Sequence, residues 1–366
     1  MNCLVHLEES KGMSLMNKRI DYDFFVWCSD FENYRGEGIL ARIFLGKISF
    51  NSNKKFFIKT PGNTYLFYNN NITLIKKKYF NLNFFNKYII LFYGIFLIWV
   101  NFYKKKNIIY LNYLPLWNFF IFFLLPRKTI LGPITGGGFF FNTSFVQKIF
   151  RKFVFVFFYY ISLSIIYKKF KYLFFSTDLL SSYFKSNYKN FIFNFSLSSF
   201  EPLKKIPKKN IDFLIYYKMH TTKNSKSIKK IINFLTELNL KVFVVGDKID
   251  NKKITYYRKL DRTKVLDLLK RSKFTIISNE NFYSLFCIDS MSCGVKIFFD
   301  KRIKPSNFFF DKSYYIPINF ENSQLAYDVI ESRIKNYRFY NIKPNNKYFY
   351  QIKKINNNIK KIINSV

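Results

Sequence analysis

Residues 278–294 read Ser-Asn-Glu-Asn-Phe-Tyr-Ser-Leu-Phe-Cys-Ile-Asp-Ser-Met-Ser-Cys-Gly. They lead out of a strand-like run, 273–278, through a polar turn into a helical stretch, 284–293, and then into a second strand, 295–299. Ser284 stands where an N-cap or a phosphate donor is expected, and Gly294 where a helix C-cap is. A strand that turns into a helix in this way offers unpaired backbone N–H groups and the positive end of a helix dipole, which together suit a diphosphate. Glu280 and Asp289 flank the helix start, where a carboxylate accepts ribose hydroxyls or simply favours the dipole.

The same alternation extends outward from this stretch. Strands are expected at 211–217, 241–245 and near 254–258, and helices at 225–238 and 262–271, which makes a doubly wound sheet. Residues 201–210, with two prolines and four lysines, interrupt the pattern and read as a linker. Before it, strand 22–28 precedes helix 37–47, and strand 107–112 precedes the apolar helix 116–125, again the pattern of parallel sheets covered by helices. The division expected is an N-terminal extension over 1–20, a first Rossmann-like domain over 21–200, the linker, a second domain over 211–344, and a basic helix or tail over 345–366.

Glycines mark further candidate loops. Of the 12 in the chain, four fall in Gly132-Pro-Ile-Thr-Gly-Gly-Gly138 and two frame Gly36-Glu-Gly38, all read as lying between a strand and a helix. Gly36, Gly38, Gly136 and Gly137 are therefore candidates for cleft loops on the acceptor side, where absent Cβ atoms let backbone approach a ligand. A tight strand-to-helix turn is the alternative for either loop alone. Gly246 ends a strand in the second half. Lys218 and Lys223 crowd the loop after strand 211–217, at the edge where ligands of open α/β sheets bind.

Composition bounds the class. At 366 residues, two α/β domains are expected. A hydrophobic share of 49%, with 49 Phe and 28 Tyr, excludes a disordered chain. The formal charge of +38 suggests a nucleic-acid or anionic-membrane partner, although Phe, Tyr, Lys, Asn and Ile are also the residues of A/T-rich codons. Cys3, Cys28, Cys287, Cys293, His6 and His220 show no paired metal spacing, so neither a zinc site nor a disulfide framework is expected. The first twenty residues lack the apolar core of a signal peptide. Apolar segments 88–100, 114–125 and 153–166 fall short of a spanning helix; buried Rossmann elements or burial at a membrane interface are the readings for them.

Residues 278–299, centred on Asp289-Ser-Met-Ser-Cys-Gly-Val295, resemble the donor-binding signature of GT-B glycosyltransferases of the GT4-like type. The resemblance matches Asp289 to an acidic residue that contacts the nucleotide ribose and Leu285 to the leucine after the turn. Strict spacing puts Asn281 at the first acidic position, with Glu280 one residue earlier, and the turn carries Phe282, Tyr283 and Ser284 in place of glycine. Lys218 and Lys223 fall where the family places cations on the donor phosphates. Residues 36–42 resemble the first glycine loop of that fold, and 132–138 the loop facing the acceptor.

The resemblance implies an α/β GT-B architecture, two Rossmann-like doubly wound domains facing across a cleft. It implies a hexosyl- or related glycosyltransferase, metal-independent and retaining, with no bound cofactor and a UDP- or GDP-sugar as substrate. Glu280, Lys223 and Lys218 would serve catalysis, and Gly246, Asn281, Ser284, Leu285 and Asp289 the donor. The expected acceptor is a saccharide or polyprenyl-linked sugar in cell-surface polysaccharide synthesis (lipopolysaccharide, O-antigen or capsule). The expected place is the cytoplasm, peripheral to the inner face of the cell membrane on an anionic surface. Competing classes are a basic nucleic-acid-binding protein, although no specific nucleic-acid module is recognisable, and a membrane-embedded non-enzymatic protein. A dinucleotide oxidoreductase is disfavoured, since no Gly-x-Gly-x-x-Gly follows a first strand.

Overall fold

A computed structural model describes residues 7–8, 20–33, 36–49, 54–69, 71–77, 86–138, 144–184, 191–201, 203, 205, 207–219, 225–277, 282–306, 312–337 and 346–364. The chain divides into two compact units, residues 1–137, 149–198 and 352–366 in the first, and 138–148 and 199–351 in the second.

The first unit runs β1 (Leu7–Glu8), β2 (Phe24–Trp27), α1 (Gly36–Ser49), β3 (Phe56–Lys59), β4 (Asn63–Tyr68), β5 (Asn71–Lys77), α2 (Asn86–Tyr103), β6 (Asn107–Tyr110), β7 (Leu114–Pro115), α3 (Phe119–Leu124), β8 (Ile130–Leu131) and β9 (Ile134–Thr135). Then α4 (Phe145–Ile149), a π turn (Phe150–Val154) and α5 (Phe155–Lys169) form one continuous helix of 25 residues, of which 149–169 group with the first unit and 145–148 with the second, followed by β10 (Leu173–Phe174) and β11 (Phe191–Ile192). The main sheet has the order β1-β5-β4-β3-β2-β6-β8. β2, which is fully buried, pairs in parallel with β3 and β6, as an apolar Phe-Phe-Val-Trp run covered on both faces should. The expectation of parallel strands fails between β3 and β5, where β4 pairs antiparallel with both neighbours. Tight turns join these strands, with Asn69 at positive φ, so no crossover helix is needed. The apolar segment 153–166 also proves longer than its composition suggested, because the helix runs on through Lys148, Arg151 and Lys152.

The second unit contains β12 (Ile211–Tyr217), α6 (Ser225–Glu237), β13 (Val242–Gly246), β14 (Thr255–Tyr257), α7 (Arg262–Arg271), β15 (Ser272–Ile276), α8 (Leu285–Ser292), β16 (Lys296–Asp300), β17 (Tyr315–Ile318) and α9 (Ser323–Lys335). A last helix, α10 (Asn346–Asn364), groups with the first unit from residue 352 onward. The sheet order is β14-β13-β12-β15-β16-β17, all parallel. Phe213, Phe274 and Phe298 stand side by side across β12, β15 and β16 with ring centroids 5.3 and 5.4 Å apart in turn. Burying each such ring is worth about 2 kcal/mol over leaving it in water. On α6, Ile228, Ile231, Ile232 and Leu235 bury one helical face onto this sheet.

Residues 201–210 are less of a free linker than two prolines suggest. Lys209 is only 5% exposed, and its Nζ donates to the carbonyls of Leu269 (3.4 Å) and Cys293 (2.6 Å) near the C-terminal ends of α7 and α8. A cation there complements the negative ends of two helix dipoles. Burial nevertheless pulls its pKa down to about 8.

Candidate functional site

Sheet order fixes where a ligand can enter the second unit. From β12 the chain moves through α6 to β13 and β14 on one side, then returns through α7 to β15 on the other. Such a reversal opens a crevice at the carboxyl ends of the two strands flanking the switch. Lys218, which is exposed, follows β12 on one side; on the other, among the described residues, Phe282, Tyr283 and Ser284 precede α8.

α8 begins as its sequence predicts. Ser284 is the N-cap, in extended backbone, with its Oγ accepting from Cys287 N at 3.3 Å. Leu285 is half-buried in the first turn, and Phe286 reaches across to Tyr216 on β12, ring centroids 5.8 Å apart. Gly294 closes the helix at φ +67°, its N–H donating to Met291 O. Cys287 is no nucleophile, since burial pushes its thiol up to about 12.

Gly246 ends β13 with φ +124°, and a Cβ there would lie 2.1 Å from the Tyr217 carbonyl oxygen. Only glycine permits this approach. It lets Asp247 clamp the exit of β12: Asp247 N donates to Tyr217 O (2.9 Å), and Asp247 Oδ2 accepts from Met219 N (2.7 Å). The pair Gly246-Asp247 is legible in the sequence as a strand end, but the clamping role of Asp247 is not.

Asp289 sits in mid-α8, 4% exposed, with Arg262 bound to it in bidentate fashion, Nε to Oδ2 at 3.0 Å and Nη2 to Oδ1 at 2.6 Å. Burial raises its pKa, and the bonds to Arg262 oppose that shift. Arg262 is the first residue of α7, 27 residues before its partner, and sequence reading did not pair them. A second missed pair lies after β16, where Arg302 grips buried Asp300 and also reaches Glu321. Lys223, Glu280 and Asn281 lie outside the described residues.

The first unit repeats the switch. β3 lies on one side of β2 and β6 on the other, and Asn112, just beyond β6, accepts from Ser29 N (2.6 Å) and Ser29 Oγ (3.0 Å) just beyond β2. A shallow, open hollow lies here, with Asp30, Glu37, Asn112, Thr135 and Ser176 among its walls. The hydroxyls of Thr135 and Ser176 are buried without a hydrogen-bond partner among the described residues. Gly36 and Gly38 are not a loop before a helix, as read from sequence, but the first turn of α1. Gly38 is required for contact, since a Cβ would meet Asn33 O at 2.0 Å and Asp30 O at 2.4 Å. Gly136 and Gly137 do follow a strand, β9, with φ +151° and +72°, packed against Leu180 and Leu179.

Solved structures share this arrangement. The chain is similar to sucrose-phosphate synthase from Thermosynechococcus elongatus, with a TM-score of 0.55 at 8% identity over 94% of each chain. It is similar to S. aureus MnaA, solved with UDP, with a TM-score of 0.54 at 11% identity over 94% of this chain and 97% of that one. UDP-GlcNAc 2-epimerase from Methanocaldococcus jannaschii, solved with UDP-GlcNAc and UDP, gives 0.50 at 12% identity over 91% and 98%. No protein-family model matches the sequence, and no curated protein sequence does. What is shared is the fold: the chain is α/β and has the GT-B fold.

Proposed function

We propose that this protein is a glycosyltransferase that moves a hexosyl or related group from a UDP- or GDP-sugar to a saccharide or lipid-linked acceptor. The observation that carries the reading is the reversal of strand order between β12 and β15, with Lys218 following β12 and Ser284 capping the start of α8. A leaving diphosphate there meets cationic side chains and a helix N-terminus, so its developing charge is stabilised without a metal. Lys218 and Lys223 take the phosphates, with Ser284 and the first N–H groups of α8 beside them. Asp289 is buried in mid-helix against Arg262 and only 4% exposed, so the ribose hydroxyls are assigned to Glu280 or Asn281. Retention of configuration follows from the resemblance of residues 278–299 alone.

The acceptor is assigned to the hollow of the first unit, whose Thr135 and Ser176 hydroxyls and Asp30 carboxylate suit a polyhydroxy ligand. Surface polysaccharide assembly at the cytoplasmic face of a membrane is the proposed setting. Calorimetry with UDP, GDP and their sugars tests the donor site. Lys218→Ala is expected to weaken binding about ten- to a hundredfold, the worth of one charged hydrogen bond. Wild-type protein that binds none of these nucleotides at millimolar concentration would refute the proposal. Conversion of a UDP-sugar to its C2 epimer with no acceptor present would replace it with the isomerase reading that the M. jannaschii enzyme suggests.

A further inference from the structure

Three helices of the first unit are apolar on both faces. Inward, Ile95 and Ile98 of α2, Ile121 and Phe122 of α3, and Leu163 and Ile166 of α5 belong to one core. Outward, Ile89, Phe92 and Phe96 of α2, Phe120 and Phe123 of α3, and Phe153 and Phe157 of the long helix are each 59–64% exposed. Their spacing makes helical stripes, not scattered residues. The helices are neighbours: Trp99 Nε1 donates to Leu124 O at 2.9 Å, and the Phe119 and Phe158 rings stack at 5.4 Å. A helix apolar all round is normally buried, and a patch of this size in water marks an interaction surface.

Charge identifies what covers it. Residues 38–177 contain no Asp or Glu, although the chain has 22. Codon bias acts on a whole gene, so it does not explain a gap confined to the segment that holds all three helices. Lys104, Lys105, Arg127, Lys128, Lys148 and Lys152 are exposed at the ends of these helices or along them. Exposed aromatic rows with a basic rim and no acid match the headgroup and acyl boundary of an anionic bilayer. A second copy of the chain would set like charges against each other. The helix over 145–169 is long and apolar enough to cross a membrane by length and composition, but Ser162, Leu163 and Ile166 on its inner face are buried in protein, which fits a helix lying along the surface.

We infer that α2, α3 and the long helix from residue 149 to 169 form a face that docks the first unit in the interfacial layer of anionic phospholipid. This gives the membrane placement proposed above its surface, and it stands independently of the donor chemistry.

The test uses the full-length chain with phosphatidylcholine vesicles, with and without phosphatidylglycerol. Binding is expected only with the anionic lipid, weakening as salt rises, and released by alkaline carbonate. Combined Phe96→Ser, Phe120→Ser, Phe153→Ser and Phe157→Ser substitutions are expected to reduce partitioning by roughly tenfold per ring, with UDP-sugar affinity unchanged. Charge reversal at Arg127 and Lys128 to Glu should abolish the preference for anionic vesicles. Equal vesicle binding by the serine variant, retention after carbonate, or a dimer in sedimentation that the serine variant abolishes would overturn the inference. Failure to bind nucleotides, with vesicle binding intact, would remove the donor proposal and leave this one standing.

Discussion

Replacing Arg262 with Met should expose how much the second unit depends on one buried ion pair. Asp289 loses both hydrogen bonds from its one partner, at 3.0 and 2.6 Å, while the residue stays 4% exposed. Breaking such a pair from one side costs about 3–5 kcal/mol, because the remaining charge has no solvent and no counter-ion. At about 1.4 kcal/mol per decade, the opening constant of the unit rises between a hundredfold and several thousandfold. Tryptophan fluorescence is blind to this, because Trp27, Trp99 and Trp117 all belong to the first unit. Hydrogen exchange of the β15 and β16 amides reports the right region. Adding Asp289→Asn removes the stranded charge and should restore about 2 kcal/mol. Burial already raises the Asp289 pKa, so the native carboxyl holds its proton more readily than the unfolded one. The deficit of Arg262→Met should therefore shrink as pH falls from neutrality toward 3.8. A loss below 1 kcal/mol, or a double variant as unstable as the single one, would refute this reasoning.

Other expectations are equally direct. Lys209 has its pKa lowered from 10.5 to about 8, so the unfolded chain binds the proton more tightly and stability should rise between those two pH values. Relative to Lys209→Met, the wild type should gain at most about 3 kcal/mol across that window; denaturant midpoints that run parallel for the two proteins would contradict the assignment. Gly246→Ala forces a Cβ onto the Tyr217 carbonyl and a side chain into positive φ, and should cost about 2–3 kcal/mol; calorimetry of the purified variant measures it. Cys28, Cys287 and Cys293 are buried and free, so a thiol reagent should modify them only as fast as the protein opens, checked by mass spectrometry with and without urea.

The second unit was readable because its strands are short β-rich runs and its helices carry local signals. β12 and α7 were expected at the boundaries observed, and α8 to within a residue of each end. Residues 50–87 were not readable. Their antiparallel strands depart from the strand-helix alternation, and Phe, Tyr, Asn and Lys so dominate the composition that periodicity is flattened. In the site, Ser284 and Gly246 were legible because caps and strand-ending glycines act locally. Arg262 was not, because nothing in a single sequence announces which of many cations meets Asp289. The hollow beside Asp30 is not legible for a similar reason: Gly36 and Gly38 mark its neighbourhood, but nothing local in the sequence separates a ligand loop from a helix start, and Gly38 lets α1 begin against the Asp30 carbonyl.

α8 is a short rod fastened at two points. Its midpoint is held through Asp289 by Arg262, and its far end through the Cys293 carbonyl by Lys209. A rod gripped at the centre and the tail has little freedom to rock at its tip, so the Ser284 end keeps its N–H groups aimed before any ligand arrives. The ordering entropy of that end is then already spent in folding, and association with a diphosphate should proceed with little loss of conformational freedom in α8 itself.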